Sequence, residues 1–308
     1  MTLTRTLTLT AAAVAMLYTA PSAREQQPAP VAGTPAARQG GRGGGGGFRQ
    51  PDPIDFNEHD GWTSLFDGRT LNGWLGDDHW KVEDGAIVVE STCEKPTGTI
   101  YLVWQGGEAA NFELKLEMKG TGNINGGVQY RGWIVAPAAL PAGGAGRAGR
   151  AGRAGRAGQA AAAQPCPSGQ PRGVPPSRES EAQWNMAGAQ YDFDAGNHYT
   201  GQFYEQATGR GIVAWKGQVV RTEAGKSPRL LATLGSDADI NAIYKPNDWN
   251  ELHIIAVGTQ MTHLLNGRVL SLLVDEDATH FHGNGLIGLE VESTGKLFIR
   301  NIWLKKLP

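Results

Sequence analysis

The stretch GAQYDFDAGNHYTGQFYEQATGRG, residues 188–211, concentrates acids, amides, aromatic rings and glycines in one short run. In an extended strand, residues two apart share a face. Gln190, Asp192 and Asp194 therefore point one way, and Tyr191 and Phe193 the other. In GGVQYR (126–131), Gln129 and Arg131 oppose Val128 and Tyr130 by the same alternation. In GLIGLEVE (285–292), Ile287, Leu289 and Val291 form an apolar face and leave Glu290 and Glu292 on the reverse. Three strands thus carry carboxylates, amides and a guanidinium to one outer surface. Such groups hold hydroxyls in fixed directions, and a carboxylate among them can move a proton. The competing reading is plain: a half-exposed antiparallel sheet always has a solvated polar face. His263, in MTHLL, shares its face with Met261 and Leu265, where a histidine is either a satisfied core residue or a base.

These residues need strands to position them. The segment NFELKLEMK (111–119) alternates strictly, with Phe112, Leu114, Leu116 and Met118 on one side and Glu113, Lys115, Glu117 and Lys119 on the other. Further short runs of strand character are AIVVE, TIYLVW, GIVAW, ELHIIAV, RVLSLLV and LFIRNIWL. The Asn266-Gly267 pair in LLNGRV predicts a two-residue hairpin turn, because both residues tolerate positive φ. Helical periodicity is absent except in DADINAIY, which predicts a turn or two of helix. So many strands bury their apolar faces only by closing or stacking, which predicts an all-β, jelly-roll β-sandwich of two antiparallel sheets over residues 52–308.

The remaining chain is of another kind. Residues 1–23 place one cation, Arg5, before a weakly apolar run and then small residues, the order of a secretory signal peptide. The run is too short to cross a bilayer, which takes about 20 residues. Export to the periplasm or the exterior follows as an expectation. Residues 24–51 are rich in Pro, Gly, Ala and Gln and read as a disordered leader. A second tract, about 136–181, holds GRAGRAGRAGRAGQAAAAQ and reads as a disordered surface-loop insertion. Residues 1–51 and 136–181 hold 11 of the 28 Lys and Arg but 3 of the 30 Asp and Glu, so the rest of the chain is formally −10. That charge disfavours nucleic acid as a partner. Cys93 and Cys166 could pair in an oxidising compartment and pin the insertion, and no zinc or haem spacing exists.

Taken together and in order, SLFDG-x-TL-x-GW (64–74), GGVQYR, LLNG and the closing FIRNI (298–302) resemble the 3-keto-disaccharide hydrolase domain family, and the likeness covers nearly all of the body. The resemblance implies a concanavalin-like sandwich, a carbohydrate substrate, and cleavage of 3-keto-glycosides by removal of the carbon-2 proton and loss of the group on carbon 1. A non-catalytic carbohydrate-binding module on the same sandwich is the alternative. Carried onto this chain, the resemblance implies Asp192, Glu205 or His263 as base and Arg131 as charge stabiliser. Gln129, Gln190, Arg210, Glu290 and Glu292 are then expected to bind substrate. Asn266, also a matching position, has the hairpin as its structural role. Trp133 and Trp184, at the mouths of the insertion, are placed to stack on a sugar ring. Where relatives read L-Q-L-H, this chain has Leu289-Glu290-Val291-Glu292, and two acids there suit a different sugar or a Ca²⁺ ion. No other cofactor is implied.

Overall fold

The computed structural model describes residues 51–135, 166–173 and 184–308. The expected signal peptide, most of the leader and most of the insertion lie outside the described residues. The chain begins with four short or medium strands, β1 (Thr63–Ser64), β2 (Trp74–Gly76), β3 (Lys81–Glu83) and β4 (Ala86–Ser91). Next come β5 (Ile100–Trp104) and the two long strands β6 (Phe112–Gly122) and β7 (Asn125–Ile134). After the insertion follow β8 (Met186–Asp194), β9 (Phe203–Gln206), β10 (Gly211–Ala214), β11 (Gln218–Glu223) and β12 (Arg229–Thr233). A single helical turn, α1 (Asp237–Asn241), precedes β13 (Asn250–Val257), β14 (Gln260–Leu265), β15 (Arg268–Glu276), β16 (Leu286–Glu292) and β17 (Gly295–Lys306).

Two sheets stack face to face, as the alternation requires. One has ten strands, in the order β12-β11-β15-β14-β13-β6-β17-β4-β3 with β1 on β17; the other has seven, β10-β9-β8-β7-β16-β5-β2. All pairs are antiparallel except β11 with β15, an exception that the sequence pattern did not foretell. Leu114, Leu116, Leu252 and Ile254 from the larger sheet meet Val128, Tyr191, Phe193 and Leu289 from the smaller one in a single buried cluster. Ser236 caps α1 by accepting from the Asp239 amide. The β14–β15 hairpin has Asn266 at φ 48° and Gly267 at φ 74°, the positive pair that the sequence predicts.

Two features of the expected pattern change in three dimensions. Lys115 is buried although it lies on the polar side of β6, because the segment before β1 folds over it and takes its three N–H groups on the carbonyls of Asp55, Phe56 and Glu58. The part of the insertion at 166–173 is placed on the body: Cys166 is disulfide-bonded to Cys93, and the Gly173 amide donates to the Cys93 carbonyl at 2.9 Å. Among the described residues no helix is long and apolar enough to cross a membrane.

Candidate functional site

The outer face of the seven-stranded sheet carries a polar cleft, lined by Asn125, Gln190, Asp192, Tyr199, Gln202, Tyr204, Gln206, Glu290 and Glu292. With its open mouth it encloses about 430 Å³. Strand register explains the gathering. Gly127 of β7 sits between Asp192 of β8 and Glu290 of β16, and Gln129 stands opposite Gln190. A Cβ at Gly127 would come within 2.4 Å of the Tyr191 carbonyl and 2.8 Å of Gln190 Nε2. The bare backbone there lets the Gln190 side chain lie across the sheet. Its Nε2 donates to Glu290 Oε2 at 3.0 Å, while its Oε1 accepts from Gln129 Nε2 at 2.6 Å. The amides thus join three strands in one hydrogen-bonded line, with Gln129 as the fully buried floor.

Asp192 is 6% exposed and accepts from Gln202 Nε2 at 2.5 Å. Burial pushes its carboxyl well above the usual carboxylate range; the Gln202 hydrogen bond opposes this, and the nearby Glu292 and Asp194 charges reinforce it. Tyr204 is pushed up to about 12, first by burial and then by the charges of Asp192, Glu292 and Glu290. It therefore stays a neutral phenol at ordinary pH. Two buried acceptors, Gln129 Oε1 and Gln202 Oε1, have no hydrogen-bond partner among the described residues. A buried unpaired acceptor costs about 1–3 kcal/mol, and because Gln202 lines the cleft its oxygen favours a ligand that brings O–H or N–H groups, whereas Gln129 does not line it.

The loop between β8 and β9 is held by Asp194, which shares the polar face but not the cleft. Its carboxylate accepts from the amides of His198 at 3.0 Å, Tyr199 at 2.7 Å and Thr200 at 3.1 Å. This fixes the loop that presents Tyr199 and Gln202. On the far side, Gln206 Nε2 donates to the Tyr101 hydroxyl at 2.9 Å, joining β9 to β5. Tyr199, Gln202, Tyr204 and Gln206 were not among the expected site residues. Alternation from the apolar Phe203 would have found Gln202, Tyr204 and Gln206, since they must face away from it.

Five expected residues do not line the cleft: Gln129 is fully buried, bonded only to Gln190 in this network, and four others lie elsewhere. Arg131 leaves the polar face because β7 bulges between Tyr130 and Trp133, with Arg131 itself at φ 48°. Its guanidinium turns to backbone instead, donating from Nε and Nη2 to the Ala110 carbonyl at 2.9 and 2.7 Å and from Nη1 to the Gly258 carbonyl at 2.8 Å. Glu205 shares the inward side of β9 with Phe203. It pairs with Arg210, which also grips both oxygens of Asp275, at 3.1 and 2.6 Å. Burial alone would lower the Arg210 proton affinity, but the hydrogen bonds to Glu205 and Asp275 outweigh it and hold the guanidinium above its ordinary value. His263 stands between the sheets, 1% exposed and packed on Tyr191 and Phe203. Burial lowers its pKa to about 3, so it is neutral, donating from Nδ1 to the Gly201 carbonyl and accepting at Nε2 from the Tyr130 hydroxyl at 2.7 Å. Of the expected bases, the cleft holds Asp192 alone.

Gln190, Glu290 and Glu292 do meet at the cleft. Glu290 accepts from Gln190, and Glu292 from Asn125 Nδ2 at 3.3 Å and Thr99 Oγ1 at 3.4 Å. Among the described residues, Asp77, Asp78 and His79 form the one group of His, Cys, Asp or Glu close enough to hold a metal, and it lies outside the cleft. Trp133 packs on the His282 ring at 4.0 Å, and Trp184 against the small cluster of Tyr101, Val103 and Met186.

Comparison with curated proteins finds no match. Among solved structures, the chain is similar to a provisional glycosyl hydrolase from Parabacteroides distasonis, at 16% identity and TM-score 0.43, covering 81% of this chain and 95% of that one. It is also similar to a carbohydrate-binding module of type CBM66 from Bacillus subtilis, at 12% identity and TM-score 0.41, covering 76% and 96%. A Bacillus subtilis protein of galectin-like fold shares 8% identity at TM-score 0.45, over 80% and 94%. The model of one family, the 3-keto-alpha-glucoside-1,2-lyase-like domain, matches residues 61–305, and the chain belongs to that family.

Proposed function

We propose that the protein cleaves glycosides already oxidised to a ketone at carbon 3, with Asp192 as the base. The observation that carries this reading is a desolvated carboxyl, Asp192, set in a concave polar face of a family member. The ketone acidifies the proton on carbon 2. Asp192 takes it, and the C2–H electron pair forms an enolate on the ketone oxygen. The enolate then collapses: a C1=C2 bond forms, the bond from carbon 1 to its glycosidic oxygen breaks, and that oxygen leaves with the proton that Asp192 returns. Addition of water across C1=C2 completes hydrolysis.

The chain's own groups suit each demand. Burial makes Asp192 a stronger base once it is ionised, which is what removal of a carbon-bound proton needs. Tyr204 supplies a neutral O–H donor for the enolate oxygen. Gln202 Oε1 is a ready acceptor for a sugar hydroxyl. An exported setting fits this reading, and the Cys93–Cys166 disulfide supports an oxidising compartment.

The test is release of a chromogenic leaving group from a 3-keto-glucoside, with the unoxidised glucoside as control. Release is expected from the ketone only, and Asp192→Asn is expected to lower kcat by about 10²–10⁴. Unchanged turnover in Asp192→Asn would remove the assignment of the base. Binding of the sugars with no release would identify a carbohydrate-binding module instead.

A further inference from the structure

Of the nine tryptophans, all of them among the described residues, Trp215 alone is exposed, at 44%. It sits in the turn between β10 and β11, where its amide donates to Gln218 Oε1 at 3.1 Å. Beside it opens a broad shallow hollow whose lining includes Trp215, Tyr199, Lys216, Gln218, Asp237 and Asn241. Tyr199 lines both this hollow and the cleft, so the two adjoin across one side chain. The rings of Tyr199 and Trp215 lie 6.3 Å apart and 36° from parallel.

We infer that this hollow is a second carbohydrate subsite, which takes the sugar ring attached through the bond to be cleaved or the next ring beyond it. The inference rests on the proposed glycoside specificity of the cleft and deepens it: the substrate class is an oligosaccharide rather than a glycoside with a small leaving group. The hollow combines a large flat apolar surface with short polar side chains of both hydrogen-bonding senses, the combination that a pyranose ring needs, since its axial C–H face is apolar and its rim is hydroxyl. The platform is also held in place. The Asp194 carboxylate pins the Tyr199 amide at 2.7 Å, Lys216 Nζ donates to the Asn197 carbonyl, and Asn197 Nδ2 donates to the Asn241 carbonyl at 3.3 Å. A surface fixed before binding loses little freedom when a ring settles on it.

The experiment compares wild type with Trp215→Ala on two substrates, a 3-keto-trisaccharide and the methyl 3-keto-glucoside, with titration of the trisaccharide followed by calorimetry. Loss of one stacked ring is expected to lower kcat/KM for the trisaccharide about tenfold and leave the methyl glycoside within about twofold. Equal losses on both substrates, or none on either, would overturn the subsite. If wild type turns over neither substrate, the proposed reaction fails, and the titration then decides the subsite by itself. An affinity for the trisaccharide that falls about tenfold in Trp215→Ala supports it, and absent or unchanged binding overturns it.

Discussion

Arg210 is where the structure and the family resemblance part most sharply, and Arg210→Met separates them. The guanidinium side chain is 11% exposed and stands between the Glu205 and Asp275 carboxylates, at 5% and 2%. Deleting the cation leaves two like charges out of water. Each keeps one hydroxyl donor, Thr208 to Glu205 at 2.7 Å and Thr222 to Asp275 at 2.6 Å, which satisfies part of their demand but none of their charge. Removing one partner of a buried pair costs about 3–5 kcal/mol. For a domain of this size each kcal/mol moves Tm by about 2–4 °C, so a fall of roughly 6–20 °C is expected in a thermal scan. Adding Glu205→Gln and Asp275→Asn should restore most of it, because the buried charge is then gone. Arg210→Lys should fall between, since an ammonium cannot make the paired contacts to Asp275. Well below Tm, turnover of a 3-keto-glucoside should survive in Arg210→Met. Unchanged stability together with lost turnover would refute this reasoning and return Arg210 to the substrate.

Four other outcomes follow from the same geometry. Asp192→Asn should be more stable than wild type at neutral pH, because the fold favours the protonated carboxyl and its stabilisation is lost as pH rises above the ordinary carboxylate value. Urea midpoints at pH 4 and 7 measure this, and a variant that is less stable at pH 7 contradicts it. His263, lowered from 6.5 to about 3, contributes stability that is full above pH 6.5 and drains away as pH falls towards 3, in total about 5 kcal/mol. His263→Gln should flatten that part of the stability–pH curve, and a curve of unchanged slope counts against a neutral core histidine. Gly127→Ala places a methyl group against the Tyr191 carbonyl and Gln190, so it should cost about 1–3 kcal/mol and weaken sugar binding, both readable by calorimetry. Reducing Cys93–Cys166, which closes a loop with a sequence separation of 73, should lower stability by about 4 kcal/mol, seen as a lower urea midpoint at constant slope.

The sequence by itself determined the sandwich. Period-two alternation in FELKLEMK or YDFDA needs no partner to be read, because a strand with one apolar face has few ways to hide it. For the same reason Gln190, Asp192, Glu290 and Glu292 were legible as one polar surface, and Asn266-Gly267 as a hairpin. Tertiary structure decided the rest. Arg131 follows the alternation on paper, but a bulge in β7 rotates it off the face, and a bulge is a property of two paired strands. Glu205 and Arg210 look like site residues by type, yet they satisfy each other and Asp275, a residue 65 positions from Arg210 that only the packing of β9 and β10 near β15 brings close. His263 had both readings open until its neighbours closed around it, since burial is set by the opposite sheet and not by the strand that carries the residue. Local pattern fixes which face a side chain prefers, while its partners, its charge state and its access to a ligand are set by chain segments far away in sequence.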